Sequence, residues 1–474
     1  MSSRRLATCP GMIIGGVGLL AIAASPAYAQ SFCPPGFAQA NGFCTNGVTG
    51  AFSSAALSSS ALTEVSTSVT QQSANTTSEA IRGRREEEQR RSAATARTAP
   101  RQTTAARPAR EAAPTREAAP AREPGVAPAR GAVAIPYYKA PPLGYGPRNA
   151  VWLQAFGDWE RFKTSTVVSN TTDLLGGGGG GGGGVGGGGV STPSSVDVTR
   201  KITTVGFVAG SDWTFRNVAA GGDLLIAGLL TGYEHADATF DATTTSSNTA
   251  VVPNGSSTLK AKVEGPSLGA FSTYSYAAFS ADITFKVDFL SVNESFSELL
   301  GFSAVPGGAG PTLVPFSGGG STRALNYVTF GNVNYRIPIN FLSWWEPTAG
   351  FRFTYTDYDD ASAQALGLAD GHILRLQGGA RIGADYRYYN VHVTPVLTGL
   401  VYSDTIITGG ALQNGAFLGP GFLAHADEGK VRFQGIGTLN FDHLNGFKTF
   451  VEANVRAGRE YFGAGGRGGI RYEW

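Results

Sequence analysis

The sequence of 474 residues predicts an all-β chain: a 12-stranded antiparallel transmembrane β-barrel behind a largely disordered, partly helical N-terminal segment. Three observations carry this prediction. Residues of alternating polarity run at a two-residue period through much of the chain after residue 148. The connections between these runs alternate in length. The composition is apolar and Gly-rich but poor in charge, with 66 Gly, 42% hydrophobic and 15% charged residues. A helical bundle is excluded, because each Gly in a helix interior costs about 1 kcal/mol relative to Ala. A helical membrane protein is excluded too. The longest nearly uncharged apolar stretch, Gly11 to Ala24, is shorter than the roughly 20 residues of a spanning helix.

Residues 1–29 read as a secretory signal peptide. Arg4 and Arg5 form a positive n-region, Met12 to Ala24 an apolar h-region, and Ala27-Tyr28-Ala29 a small-x-small cleavage site. Gln30 is then the first mature residue. Arg4-Arg5 also fits twin-arginine export; an ordinary n-region is the simpler reading. Cys9 leaves with the signal. Export puts Cys33 and Cys44 in an oxidising compartment, where they are expected to form a disulfide closing a small loop.

Residues 30–147 form a short Ala/Ser/Arg/Pro-rich segment. Leu57, Ala61, Leu62, Val65 and Val69 recur at near-helical spacing, so the stretch from Ala55 to Ala99 has helical character. From Arg82 to Arg130 the chain holds 12 Arg and 6 Glu, with Arg-Glu steps at six-residue spacing and Pro between them. Pro at that frequency forbids a continuous helix and leaves an extended or disordered linker. Residues 1–147 carry 15 Lys/Arg against 8 Asp/Glu, so the arm is basic, whereas the remainder is net acidic. A basic arm fits an anionic surface such as lipopolysaccharide; a solvated tether is the plainer reading. Nucleic acid is not expected as a partner of an exported chain.

Residues 148–474 are expected to form the barrel. In Phe447–Ala457, Val451, Ala453 and Val455 share one face, and Lys448, Glu452 and Arg456 the other. The runs 374–387 and 279–289 behave alike. Such alternation suits a wall with lipid on one side and a polar lumen on the other, where a charge facing lipid would cost several kcal/mol. The expected strands lie near 149–161, 198–215, 221–237, 259–275, 277–292, 321–338, 343–358, 371–387, 390–404, 429–442, 447–458 and 464–474. Connections after the first, third, fifth, seventh and ninth read as long, and those after the even strands up to the tenth as short. Outside loops are long and periplasmic turns short in such barrels, so both barrel ends should face the periplasm.

Several segments resemble the translocator domain of autotransporters (type V secretion). Trp152-Leu153-Gln154-Ala155-Phe156-Gly157 is similar to the first strand of that family, and Gly206–Asp212 and Gly228–Tyr233 to the second and third. Trp344-Trp345-Glu346-Pro347, with Phe351 and Tyr355 beyond it, resembles an aromatic-aromatic-Glu-Pro strand. The chain closes on Ile470, Tyr472 and Trp474, which resemble the terminal signal read by the barrel assembly machinery. The resemblance covers about residues 149–474. It implies a 12-stranded outer-membrane barrel that helps carry its upstream segment to the surface. Expected partners are outer-membrane lipid and lipopolysaccharide, the barrel assembly machinery and periplasmic chaperones, with the barrel a monomer. A helix filling the pore would have to come from about Ala55–Ala99, because Pro136, Pro141 and Pro142 break any helix just before the first strand.

Glu346, Arg352, Arg375, Arg381, Asp385, Lys448, Glu452 and Arg456 are expected to face the lumen, either gripping a plug or forming an internal charge network. The resemblance singles out Glu346 for a plug contact. Trp213, Trp344, Trp345 and Trp474 are expected in the interfacial girdles. Gly176–Gly184 and Gly186–Gly189 read as a flexible surface loop. They lack the strand-to-helix context and Lys-Ser/Thr of a phosphate loop. None of His235, His372, His392, His425 and His443 has metal-ligand spacing, and no Ser-His-Asp set or nucleophile elbow can be placed. No catalytic residue, metal or cofactor is therefore expected. Two functions stay open: a barrel that exports or displays its N-terminal segment, and an adhesion barrel acting through its outside loops.

Overall fold

The computed structural model describes residues 148–474 apart from 173–189, 251–253, 303–311, 341, 360–369, 409–429 and 444, together with 38–40, 43–45, 50–52, Val65 and Thr77. The cleavage site at Ala27 and Ala29, Cys33 and the Gly tract lie outside the described residues. Cys44 sits on the middle strand of a small antiparallel sheet formed by Ala38–Ala40, Phe43–Thr45 and Gly50–Phe52.

Twelve antiparallel strands close into a barrel. They are β1 (Arg148–Thr172), β2 (Val190–Arg216), β3 (Leu224–Ser246), β4 (Gly255–Tyr276), β5 (Phe279–Phe302), β6 (Thr312–Tyr335), β7 (Ser343–Tyr358), β8 (Gly371–Ala384), β9 (Val391–Thr408), β10 (Val431–Asp442), β11 (Phe447–Gly458) and β12 (Tyr461–Glu473). Each strand pairs with its sequence neighbours. β12 returns to β1 with a register running from Tyr461↔Phe162 to Glu473↔Ala150. Trp474 extends the seam, its N–H and carbonyl each bonded to Asn149 at 3.2 Å. Closure satisfies the backbone of both terminal strands, which lipid demands. Both barrel ends lie at the rim that carries the turns 217–223, 277–278 and 443–446.

The strands are longer than their sequence pattern suggested, and unequally so. β1–β6 run 22 to 27 residues, β7–β12 only 12 to 18. About ten residues of tilted strand span a bilayer. The tall half of the wall therefore rises well beyond the lipid, and much of what read as long outside loops is strand. The segment expected to be a loop after residue 237 continues β3 to Ser246, and β4 already begins at Gly255.

The reason is visible in the side chains. On β1 the lipid face reads Val151, Leu153, Ala155, Gly157, Trp159, nine residues rising about 25 Å. On β3 it carries Leu229 and Tyr233, and the lumen side carries Glu234. Beyond Tyr233 the outer face turns polar, while the inner face, apolar at Leu224, Ile226 and Leu230 as well, is apolar again past Glu234. His235, Asp237, Thr239 and Asp241 now point outward, and Ala236, Ala238, Phe240 and Ala242 point inward. β4 repeats the pattern, with Glu264, Lys262 and Lys260 outside against Val263, Ala261 and Leu259 inside. On β5, Lys286 and Asp288 give way to Leu290 and Val292 on the inner face, while Ser291 and Asn293 replace Phe285 and Phe289 outside. On these strands the two-residue period does not break. Only the solvent changes, from lipid to water, and the apolar side follows it inward.

At the opposite rim, two inner indoles lie flat over glycines across the ladder. Trp152 faces Gly210 and Trp344 faces Gly383. A methyl group at either glycine would overlap the ring. Trp344 corrects the girdle expectation. It is buried in the lumen while Trp345, its chain neighbour, faces out, since consecutive residues of a strand take opposite faces. Trp213 and Trp474 also face out. Gly383→Val is expected to force the indole away at a cost of about 1–3 kcal/mol, lowering the fraction of heat-modifiable, folded barrel on gels. An unchanged fraction would contradict the packing.

The turn after β2 is held by a carboxylate. Asp223 accepts the backbone amides of Val218, Ala219 and Ala220 at 2.7, 2.7 and 2.8 Å, and the Tyr274 hydroxyl donates to it at 3.1 Å. Desolvation pushes this carboxyl up, but the three amides and the phenol together hold it below its ordinary value of 3.8. Its stabilising contribution is therefore complete above that value and lost as pH falls through the lower folded pKa. Asp223→Asn should remove that part of the acid dependence of unfolding. Identical acid profiles for the two proteins would refute it.

Candidate functional site: the barrel lumen

Among the described residues, the lumen is lined by buried side chains that pair across it. Near the rim that carries the short turns, Glu346 is fully buried and takes Arg381 Nη1 at 2.8 Å and Arg336 Nε at 3.2 Å. Both guanidiniums also lie over the Trp344 ring, at 3.9 Å for Arg336 and 5.6 Å for Arg381. Lys448 reaches Glu473 at 2.8 Å and Asp442 at 3.8 Å, and Arg471 pairs with Asp212.

At mid-height the network tightens. Lys286 is fully buried between Glu234 at 2.6 Å and Asp288 at 2.8 Å. Arg467 pairs with Glu452, which also accepts the Thr438 hydroxyl at 2.9 Å. On the short-walled side, Arg375 grips Asp404 with two bonds of 2.6 and 2.8 Å. Arg456 is fully buried against Glu160 at 2.6 Å and against Asp158. The Arg352 guanidinium lies 5.9 Å from the centre of the Phe330 ring. Charges this deep stay ionised only when paired, since desolvating an isolated one costs several kcal/mol.

Of the eight residues read as lumen-facing, Glu346, Arg352, Arg375, Arg381, Glu452 and Arg456 are buried inside, and Lys448 is nearly so. Asp385 lies just beyond the end of β8 at Ala384, part-buried at the rim, where it accepts the hydroxyl of the buried Thr394 at 2.8 Å. Ile470, Tyr472 and Trp474 face lipid on β12 and just beyond it, and Tyr472 stacks on Trp474. Sequence reasoning missed Glu234, Asp158, Glu160 and Asp404, the carboxylates that hold these cations. The signal existed: each sits on the inner phase of an alternating run. His235 is outside the lumen, held by Glu264 at 3.1 Å and Asp237 at 3.0 Å.

The outer lumen is different. Ile202, Ala236, Ala238, Phe240, Leu259, Ala261, Val263, Leu290, Val292, Phe296, Ala324 and Tyr358 form one apolar cluster, and Val65 is part of it. Val65 and Thr77 are both helical and fully buried. A residue some eighty positions upstream of β1 thus completes the core of the tall wall. The helical spacing read in the sequence includes Val65; its partners could not be read there.

Lys286→Met should leave two buried carboxylates facing an apolar side chain, at a cost of about 3–5 kcal/mol. Adding Glu234→Gln and Asp288→Asn should restore most of that loss. Urea titration of the heat-modifiable band measures both, and a single variant as stable as wild type would contradict the pairing.

No family model matches the sequence, and no curated protein matches it. Among solved structures, the chain is similar to the β domain of the Bordetella autotransporter BrkA, with 13% identity and a TM-score of 0.40, over 68% of this chain and 98% of that one. It is similar to the transport unit of the autotransporter AIDA-I from Escherichia coli, with 11% identity and a TM-score of 0.39, over 68% of this chain and 90% of the other. It is also similar to the translocator domain of the autotransporter NalP from Neisseria meningitidis, with 12% identity and a TM-score of 0.34, over 69% of this chain and 88% of the other.

Proposed function

We propose that this chain is an outer-membrane barrel of autotransporter type that keeps a helical part of its own N-terminal segment in the outer lumen and presents the adjoining sequence at the cell surface. The observation that carries this reading is the burial of Val65 in the apolar cluster of the tall wall. Above the lipid, β2–β6 have the faces of a soluble sheet: water outside, apolar residues inside. Such a sheet needs a second layer to cover its inner face. The N-terminal segment supplies a residue of that layer.

Polar and ionic packing below favours retention over an open channel. The paired carboxylates and cations of the mid-lumen leave few unpaired charges to steer a solute. Retention of Val65 also favours display over release of a free passenger. The basic run from Arg82 to Arg130 lies between this anchor and β1, so it is tethered at both ends.

Two measurements test the reading. A photo-crosslinker placed at Val65 should join peptides of β3, β4 or β5 in intact cells; crosslinks to other proteins alone would overturn it. Val65→Asp should lower the temperature at which the heat-modifiable band converts, because a carboxylate would enter an apolar cluster. Protease added to intact cells separates display from a periplasmic arm. Cleavage at the arginines of 82–130 supports display, and protection until the membrane is opened excludes it.

A further inference from the structure

The outer face of the tall wall carries a charge arrangement that the lumen does not explain. Arg161 on β1 and Lys201 on β2 are direct partners across the ladder, and both point outward. Opposed residues of an antiparallel pair hold their Cβ atoms about 5 Å apart, so like charges there are destabilising. Elsewhere in this barrel, close cations have carboxylates between them or beside them: Lys286 has two, and Arg375 and Arg432 share Asp404. Among the described residues, Arg161 and Lys201 have no ion-pair partner. Lys163 stands one outward position above Arg161, and its amide bonds to the Glu460 carbonyl at 2.9 Å, which brings the turn carrying Arg459 alongside. The neighbouring carboxylates are Glu460 in that turn and, diagonal to Lys201 on β3, Asp237 and Asp241; Asp237 is held by His235 at 3.0 Å and Asp241 accepts the Thr258 hydroxyl at 3.1 Å.

The height of the pair matters as much as its charge. Arg161 is the first outward residue above Trp159, the top of the lipid face on β1. Trp159 packs on Phe462 with ring centres 6.2 Å apart, and Phe462 is the ladder partner of Arg161 on its other side. Lys201 lies two outward positions above Val205, which still faces lipid. The two cations therefore sit where lipid headgroups meet an aromatic edge. A guanidinium fork beside an ammonium matches a phosphate oxyanion.

We propose that Arg161 and Lys201 form a binding site for a phosphate of outer-leaflet lipopolysaccharide, held against the outside of the barrel above the Trp159–Phe462 edge. The bound phosphate removes the like-charge repulsion between the two staves. The proposal rests on the outer-membrane orientation given above, in which the tall wall faces outward.

The test uses the full chain purified from outer membranes in mild detergent, with diphosphoryl lipid A as the probe and native mass spectrometry as the readout. Arg161→Gln with Lys201→Gln should weaken lipid A binding about 30-fold, on the basis of roughly one interfacial contact per cation. Arg161→Lys with Lys201→Arg should retain most of it. Lys260→Gln, in the same ladder row but three outward positions above the lipid edge of β4, should leave it unchanged. Equal binding by wild type and the double Gln variant overturns the site. Equal binding of dephosphorylated lipid A overturns phosphate recognition, and saturable binding of inorganic phosphate in its place overturns the lipid source. Fractionation of the wild-type chain away from the outer membrane would instead overturn the orientation, so the two failures are distinguishable. The heat-modifiable band confirms that each variant is folded.

Discussion

The seam between β1 and β12 is the contact on which the rest of the molecule depends. It joins residues about 300 positions apart and more, from Phe162 with Tyr461 to Ala150 with Glu473, and without it both strands would present open backbone to lipid. No other device satisfies those groups in a bilayer, where an unpaired amide or carbonyl costs several kcal/mol. Closure also creates an inside. Once the wall closes, every second side chain must enter a lumen whose contents are fixed by the register of the ladders. Asp158 and Glu160 on β1 meet Arg456 on β11 only because β12 lies between those two strands.

Inside the membrane the lumen holds paired charges beside an apolar cluster of Trp152, Phe156, Val208, Leu224, Ile226, Leu230 and Phe271, and above it a second cluster is apolar. Across the lipid the outer face must be apolar, so the polar residues of each strand have nowhere to go but inward. There they neutralise one another: Lys286 with Glu234 and Asp288, Arg375 with Asp404. Above the lipid the argument reverses. Water takes the outer face, and the apolar residues turn inward and form one cluster. Val65 enters that cluster. The functional reading follows from this arrangement, because a tall half-wall with an apolar inner surface is a place for the chain's own upstream segment.

Much of this was legible in the residues. Twelve strands, their order and the phase of the lumen-facing charges followed from two-residue periodicity, because lipid on one side and a polar interior on the other leave no freedom of phase. Arg456 and Glu452 could be assigned inward because Val451, Ala453 and Val455 had to face out. The strand ends were less legible. Lipid-facing alternation by itself predicts strands that stop where it stops. At Tyr233 it inverted instead, and β3 ran on to Ser246. Trp344 was misplaced for a related reason: an aromatic pair suggested a girdle, but neighbours in a strand cannot share a face.

The sequence by itself determined the local rules: which residues alternate, where the short turns fall, which half of the chain is basic, and that charges on the lipid-spanning part of the barrel strands belong inside. These depend on solvent and on the strand period, both of which act residue by residue. Only the tertiary structure decided which charge meets which, that β1–β6 stand taller than β7–β12, that Arg161 opposes Lys201, and that Val65 reaches the outer lumen. Those are facts of register and closure. They depend on pairings between distant strands, which no local pattern encodes.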